Sequence, residues 1–201
     1  MRKNERPIEY AFALKCIRDT APESVLDVGS GSTVLPFLVA QCGIYIRAVD
    51  KEKNTRFFPV EALDITRSTL HRKFDFITCI SVMEHIEEYD AAIANMVKML
   101  NPGGYLCLTF PFNEELFIDN VYDVPGAGYG QNADFICRVY DYETIHMWEK
   151  QLSIALLEEE LWECFTGQFW TFGKRLLPPK LSDYGEPHHL ICLLYKVSEN
   201  A

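Results

Sequence analysis

The sequence predicts an α/β fold: a mostly parallel, seven-stranded sheet with helices on both faces and an antiparallel last strand. Three observations carry that prediction. Up to residue 110, short apolar runs alternate with segments of helical periodicity, which is the pattern of strand–helix–strand units. The first of these runs leads into Gly29-Ser30-Gly31, a tight turn that opens a helix. The closing run, Leu190 to Val197, follows an aromatic segment at 162–172 through a proline-containing connection with no crossover helix, so the two should pair antiparallel at the end of the sheet.

The elements follow in order. Good helix formers from Ile8 to Ile17 predict a leading helix, ended by Asp19-Thr20-Ala21-Pro22. Val25 to Val28 is the first strand. The helix from about Val34 to Cys42 has Ser32 or Thr33 as its expected cap and Pro36 in its first turn, and it stops at Gly43. Ile44 to Val49 reads as a second strand ending at Asp50, Phe57 to Leu63 as a short third, and Phe74 to Ile80 as a fourth. Asp90 is placed to cap a helix on which Ile93, Met96, Val97 and Leu100 share a face. Asn101-Pro102-Gly103-Gly104 ends it before the fifth strand, Tyr105 to Phe110. The segment from Pro111 to Gly130 has no clear period, and loops of such length are commonly functional. A helix over Asp141 to Leu157, a strand over Trp162 to Phe172 and the last strand complete the chain.

A chain of 201 residues with 48% hydrophobic and 24% charged residues is expected to be one globular domain. The formal charge of −10 argues against a nucleic-acid backbone as partner. No apolar run approaches the ~18 residues of a membrane span, and Met1 to Pro7 lacks the apolar segment of a signal peptide. A cytoplasmic protein without membrane association, monomeric or homodimeric, is the expectation. The seven cysteines are scattered without a C-x-x-C pair and read as reduced, buried hydrophobes. They have no zinc spacing, and His188-His189 lack spaced co-ligands, so no metal is expected.

In open α/β sheets, ligands sit outside the carboxyl ends of the strands. The two glycines let backbone approach a ligand closely, and Asp50, 21 residues beyond Gly29, stands where a carboxylate accepts from both ribose hydroxyls. A dinucleotide fingerprint would want a third glycine where Val34 stands, which disfavours a nicotinamide cofactor.

With these features the chain resembles the class I S-adenosylmethionine-dependent methyltransferases, and is most similar to the small-molecule group called methyltransferase type 11. Leu26-Asp27-Val28-Gly29-Ser30-Gly31-Ser32 resembles the first motif of that family and Ala48-Val49-Asp50 the second. Phe74-Asp75-Phe76-Ile77 with Val82-Met83-Glu84-His85-Ile86 resembles the fourth, and Leu100-Asn101-Pro102-Gly103-Gly104 the fifth. These motifs cover about residues 24 to 110, and Thr33 departs from them where the family often has glycine.

The resemblance implies a Rossmann-like three-layer sandwich that binds S-adenosyl-L-methionine and releases S-adenosyl-L-homocysteine. It implies that Asp27, Gly29, Ser30 and Gly31 meet the methionine part, and that Asp50 with Lys51 holds the ribose. Asp64 and Ile65 would meet the adenine, and Ser81 would lie beside the transferable methyl. His85 is the best-placed base if the acceptor is a hydroxyl, with Glu84 beside it; both could equally brace the next helix. The region 111–140 is expected to form a substrate-binding insertion and, with the leading helix, a lid. Arg138, Tyr129 and Phe112 are its candidate acceptor contacts, although aromatic residues there could be core and Arg138 a structural ion pair. The expected activity is methyl transfer to a small molecule, on oxygen or nitrogen before carbon. The rival is a non-catalytic protein that keeps the cofactor site as a sensor or scaffold.

Overall fold

The computed structural model describes residues 4–53 and 55–199. Eight strands form one sheet, in the order β3-β2-β1-β4-β5-β8-β6-β7. The parallel part comprises β1 (Ser24–Val28), β2 (Tyr45–Asp50), β3 (Val60–Ala62), β4 (Phe74–Ile80) and β5 (Leu100–Pro111). Both faces of the central strands β1 and β4 are buried, so these read as near-continuous apolar runs. On one face α1 (Arg6–Thr20) and α2 (Leu35–Gln41) bury Phe12, Cys16, Ile17, Leu35 and Val39 against Val25, Phe76 and Cys107. On the other, α3 (Tyr89–Lys98) and α4 (Tyr142–Leu152) bury Ile93, Met96, Ile145 and Trp148 against Leu26, Ile77, Leu106 and Leu108. Alternation along each strand thus feeds two cores, and the three-layer α/β sandwich follows.

The antiparallel end is larger than the sequence predicts. β8 (Leu190–Val197) lies between β5 and β6 (Ile154–Phe165) and is antiparallel to both. The eighth strand, β7 (Arg175–Ser182), forms a hairpin with β6 at the sheet edge. Its Pro178 and Pro179 hide it in the sequence; an edge strand tolerates them because only one side must pair, and both fall where the register shifts. Helix α4 ends at Leu152, not Leu157, because Ser153 turns left-handed at φ 52°. Residues 154–157 have a helix-like composition, but Ile154 pairs with Val197 and the strand continues from there. The expected caps also differ. Val34 precedes α2 without a side-chain cap, and Asp90 lies inside α3, where its carboxylate accepts from Trp148 Nε1 at 2.8 Å.

The stretch after β5 is not an unstructured loop. Phe112 bridges to Tyr140 and Ile118 to Val139, with a 3-10 turn at Val121–Asp123 between. All seven cysteines are free, and only Cys42 is exposed. Among the described residues no helix is long and apolar enough to cross a membrane.

Candidate functional site

The carboxyl ends of β1, β2 and β4 open onto a cleft of about 440 Å³, lined among others by Gly29, Asp50, Asp64, Val82, His85 and Phe135. The turn after β1 forms its floor. Gly29 and Gly31 hold φ of 71° and 51°, which a side chain resists, whereas Thr33 is not left-handed. A Cβ on Gly29 would stand 2.3 Å from Val82 Cγ2, so this position is closed to anything larger. The Gly29 and Ser30 amides donate to the Val49 carbonyl, and the Gly31 amide donates to Asp50 Oδ2 at 2.8 Å. The turn and the end of β2 are thereby fixed to each other.

The acids differ in environment. Asp27 is buried within β1 and accepts from the Thr78 hydroxyl at 2.6 Å; burial pushes its carboxyl up to about 6. Asp64 accepts from the amide and hydroxyl of Thr66, which hold it below the usual carboxylate range. Beside it Ile65 is buried, and its carbonyl accepts from Asn95 Nδ2 at 2.8 Å. Lys51 lines the cleft next to Asp50. The structure therefore brings Gly29, Asp50, Lys51, Asp64, Ile65 and His85 around one space, with Asp27 and Ser30 on a small space behind the turn and Gly31 in the turn, bonded to Asp50.

Beyond β4, Ser81 is left-handed at φ 48°, its amide bonded to Thr109 and its hydroxyl donated to Glu9. Glu84 follows in a 3-10 turn (Met83–His85) and is only 3% exposed; burial pushes its carboxyl up to about 8. His85 Nδ1 lies 2.7 Å from the Ile136 carbonyl, which makes Nδ1 the protonated nitrogen of the neutral ring. Nε2 is then the basic nitrogen, 3.7 Å from Glu84 Oε1. Burial lowers the His85 pKa, so the ring is neutral at physiological pH. Phe135 packs edge-on against it with centroids 4.9 Å apart.

The three expected acceptor contacts do not line this cleft. Arg138 is 4% exposed: Nε and Nη2 bind Asp119 Oδ1, Nη1 donates to the Ile86 carbonyl at 2.6 Å, and Tyr89 lies beneath the guanidinium. A cation so fully engaged ties the chain together and is not offered to an acidic substrate. Phe112 is core, packed between Tyr142 and His188. Tyr129 is half-buried beside Phe165, and its hydroxyl accepts from Arg175 Nη2 at 2.9 Å. Conversely, sequence reasoning missed Arg6, Glu9 and Tyr10 of α1, where Arg6 and Tyr10 with Asp27, Gly29 and Ser30 enclose a small space behind the turn. The available signal was a glutamate on the same helical stripe as Phe12, Ala13, Cys16 and Ile17. Among the described residues no cluster of histidine, cysteine and carboxylate side chains could hold a metal.

Comparison with known proteins places this geometry. The profile of a family described as a methyltransferase domain matches residues 2–153. A ubiquinone biosynthesis O-methyltransferase of Alkalilimnicola ehrlichii is 22% identical over 114 residues, covering 50% of this chain and 46% of that protein. One of Rickettsia conorii is 28% identical over 110 residues, covering 49% and 38%. The chain spans about half the length, or less, of these curated relatives. Among solved structures, an S-adenosylmethionine-dependent methyltransferase of Clostridium acetobutylicum superposes with TM-score 0.62 at 14% identity, covering 94% of this chain and 90% of that one. A 1,6-didemethyltoxoflavin-N1-methyltransferase of Burkholderia thailandensis, solved with its substrate and S-adenosylhomocysteine, gives 0.66 at 12% identity, with 94% and 78% covered. At these identities the solved structures establish the fold.

Proposed function

The chain belongs to the methyltransferase-domain family, and from that membership we propose that it transfers a methyl group from S-adenosyl-L-methionine to a small-molecule acceptor, at oxygen or nitrogen. The observation that carries this reading is the single cleft that gathers a glycine turn, a carboxylate at the end of β2 and a carboxylate after β3. The residues fit the cofactor. Asp50, already oriented by the Gly31 amide, has Oδ1 for the ribose hydroxyls, where its other contact is a 3.3 Å bond from the Glu52 amide. Lys51 lies beside it. Asp64, kept ionised by Thr66, accepts from the adenine amino group, and Ile65 supplies the apolar edge. The Gly29-Ser30-Gly31 backbone would meet the methionine part, and Asp27, behind the turn, would face its ammonium.

When bound, the cofactor supplies an electrophilic methyl on a sulfonium, a good leaving group, so the protein's task is to align a nucleophile and exclude water. Ser81 follows β4 and would stand on the side of the transferable methyl. His85, neutral with Nε2 free, accepts a proton from a hydroxyl acceptor. In this reading the described residues act as one domain, with 111–140 contributing the acceptor side through Asp134, Phe135 and Ile136.

Calorimetry with S-adenosylhomocysteine tests the reading. Micromolar binding is expected, with at least a tenfold loss in Asp50→Ala and none of comparable strength for NAD. Equal binding of NAD, or no binding of S-adenosylhomocysteine, would sink it. For a hydroxyl acceptor, His85→Ala is expected to keep cofactor affinity and lower turnover at saturating acceptor; unchanged turnover removes His85 from the mechanism.

A further inference from the structure

Two chain segments meet at one imidazole on the far wall of the cleft. His85 closes the 3-10 turn after β4, and its side chain is 36% exposed. Ile136 holds it at one atom, with the carbonyl 2.7 Å from Nδ1. The preceding residue, Phe135, packs against the same ring, with centroids 4.9 Å apart and planes at 83°. Both rings line the cleft, beside Val82 and Ile86. Phe135 is backed in turn by the buried ring of Tyr122, at 6.1 Å and 71°. Tyr122 is itself confined, because a Cβ on Gly130 would come within 2.2 Å of it. The hydrogen bond and the ring contact do different things. A bond at Nδ1 selects the tautomer. An imidazole held at that atom alone still swings about its Cβ–Cγ bond, since such terminal torsions are broad. A phenyl ring against it limits that swing and covers part of it from water.

We propose that Phe135 is the positioning residue for His85, holding the imidazole in the orientation that the Ile136 bond selects and leaving Nε2 as the proton-accepting atom of the cleft. The inference rests on the methyltransferase reading with a hydroxyl acceptor, and deepens it. In that step the hydroxyl proton passes to Nε2 while the oxygen forms the new C–O bond and the electron pair of the C–S bond stays on sulfur. A ring that has swung away, or that already carries a proton, takes none. Charges reach the ring from three sides. Glu84 Oε1 lies 3.7 Å from Nε2, but burial keeps that carboxyl protonated at neutral pH. Arg6 of α1 adds a positive charge, and Glu87, Glu88 and Asp134 stand on the cleft wall. Arg138 of the insertion is bound to Asp119 and to the Ile86 carbonyl. Burial is nonetheless the largest influence on His85, and Phe135 supplies a share of it. Phe135 handles no proton itself; it acts through the ring beside it.

The test reads His85 itself by nitrogen-15 NMR, its signals assigned by their loss in His85→Gln. The native protein is expected to show one neutral tautomer, protonated at Nδ1, with a pKa below the ordinary 6.5. Phe135→Ala is expected to give a mixture of tautomers and to raise that pKa by a few tenths, while S-adenosylhomocysteine affinity stays within threefold. Phe135→Tyr keeps the aromatic contact and is expected to return both readings to the native values. Phe135 is 54% exposed, so neither substitution empties a core position. An unchanged tautomer and pKa in Phe135→Ala overturns the proposal. So does a pKa that falls, which would mean that the phenyl ring stabilises the imidazolium, or a Phe135→Tyr that behaves like Phe135→Ala. A larger loss of S-adenosylhomocysteine affinity in Phe135→Ala assigns the residue to the cofactor and overturns it as well. A native protein that does not bind S-adenosylhomocysteine sinks the methyltransferase reading instead, and the same spectra still report whether Phe135 holds His85.

Discussion

The left-handed conformation of Gly29 and the side chain of Val82 above it make that glycine the least replaceable residue of the cleft. Gly29→Ala adds a Cβ where φ is 71° and where Val82 already stands. A loss of at least about 2 kcal/mol in urea unfolding is expected, from backbone strain and overpacking together. The double variant with Val82→Ala should recover the packing part alone, and a fully additive double variant would refute the contact. Glu84 gives a second prediction at this scale. Burial raises its carboxyl from 4.5 to about 8, so the folded state holds the proton more tightly than the unfolded chain. The stability it adds is complete below about pH 4.5 and is lost as pH rises through about 8, an effect on the order of 3–5 kcal/mol. Glu84→Gln should flatten the fall in melting temperature between pH 6 and 9, and an unchanged slope would rule out the buried proton.

Arg138 makes the insertion part of the fold. Its amide donates to the Glu84 carbonyl, its guanidinium to Ile86, and Asp119 closes the ion pair from the far side of the loop. Arg138→Met leaves the Ile86 carbonyl without that donor, at a cost of about 1–3 kcal/mol, and should make residues 112–136 sensitive to limited proteolysis while the sheet stays intact. Equal protease resistance would show that the bridges Phe112–Tyr140 and Ile118–Val139 suffice. β1, β2 and β4 were legible as apolar runs bounded by their own turn residues, and the range predicted for Phe74–Ile80 needed no change. β3 is shorter than predicted, and β5 begins at Leu100, which helical periodicity had placed at the end of α3, because Leu100 pairs with Phe74. β6 was not legible in the same way. Ile154, Leu156 and Leu157 sit among glutamates that favour a helix, and only the distant partner strand β8 decides their conformation. Arg175–Ser182 was masked by its two prolines, whose tolerance depends on being at the edge.

Over the whole molecule, Glu9, Asp27 and Glu84 are buried at the central strands β1, β4 and β5 and the turn after β4, and burial raises all three. Their signs agree: each favours the protonated folded state, so each loses stabilising effect as pH rises. The native protein should therefore melt highest on the acid side of neutrality, and differential scanning calorimetry from pH 5 to 9 reads this directly. A maximum near pH 8 would contradict it. Glu9 marks the limit of sequence reading for the site. Asp27 was visible within the first predicted strand, Asp50 at the end of the second and Asp64 after the third. Glu9 lies 72 positions from Ser81 and 100 from Thr109, and no local pattern reports contacts made across the sheet. Arg138, Phe112 and Tyr129 lie away from the cleft for a related reason: residue type suggested binding, but tertiary neighbours engage them elsewhere.

Residues 136–140 are zipped to residues 83–86 by four hydrogen bonds: His85 to Ile136, Arg138 to Glu84 and Ile86, and Tyr140 to Met83. This divides the insertion into a fixed seam and an exchangeable cassette. A chimera that imports a new loop between 123 and 134 leaves Asp119 on Arg138, the Ile118–Val139 bridge and Phe135 against His85 in place, whereas a cut placed inside 136–140 detaches the ring from its anchor. Substitutions in 118–121 and 136–140 are coupled to each other and to the turn after β4, and must change with it.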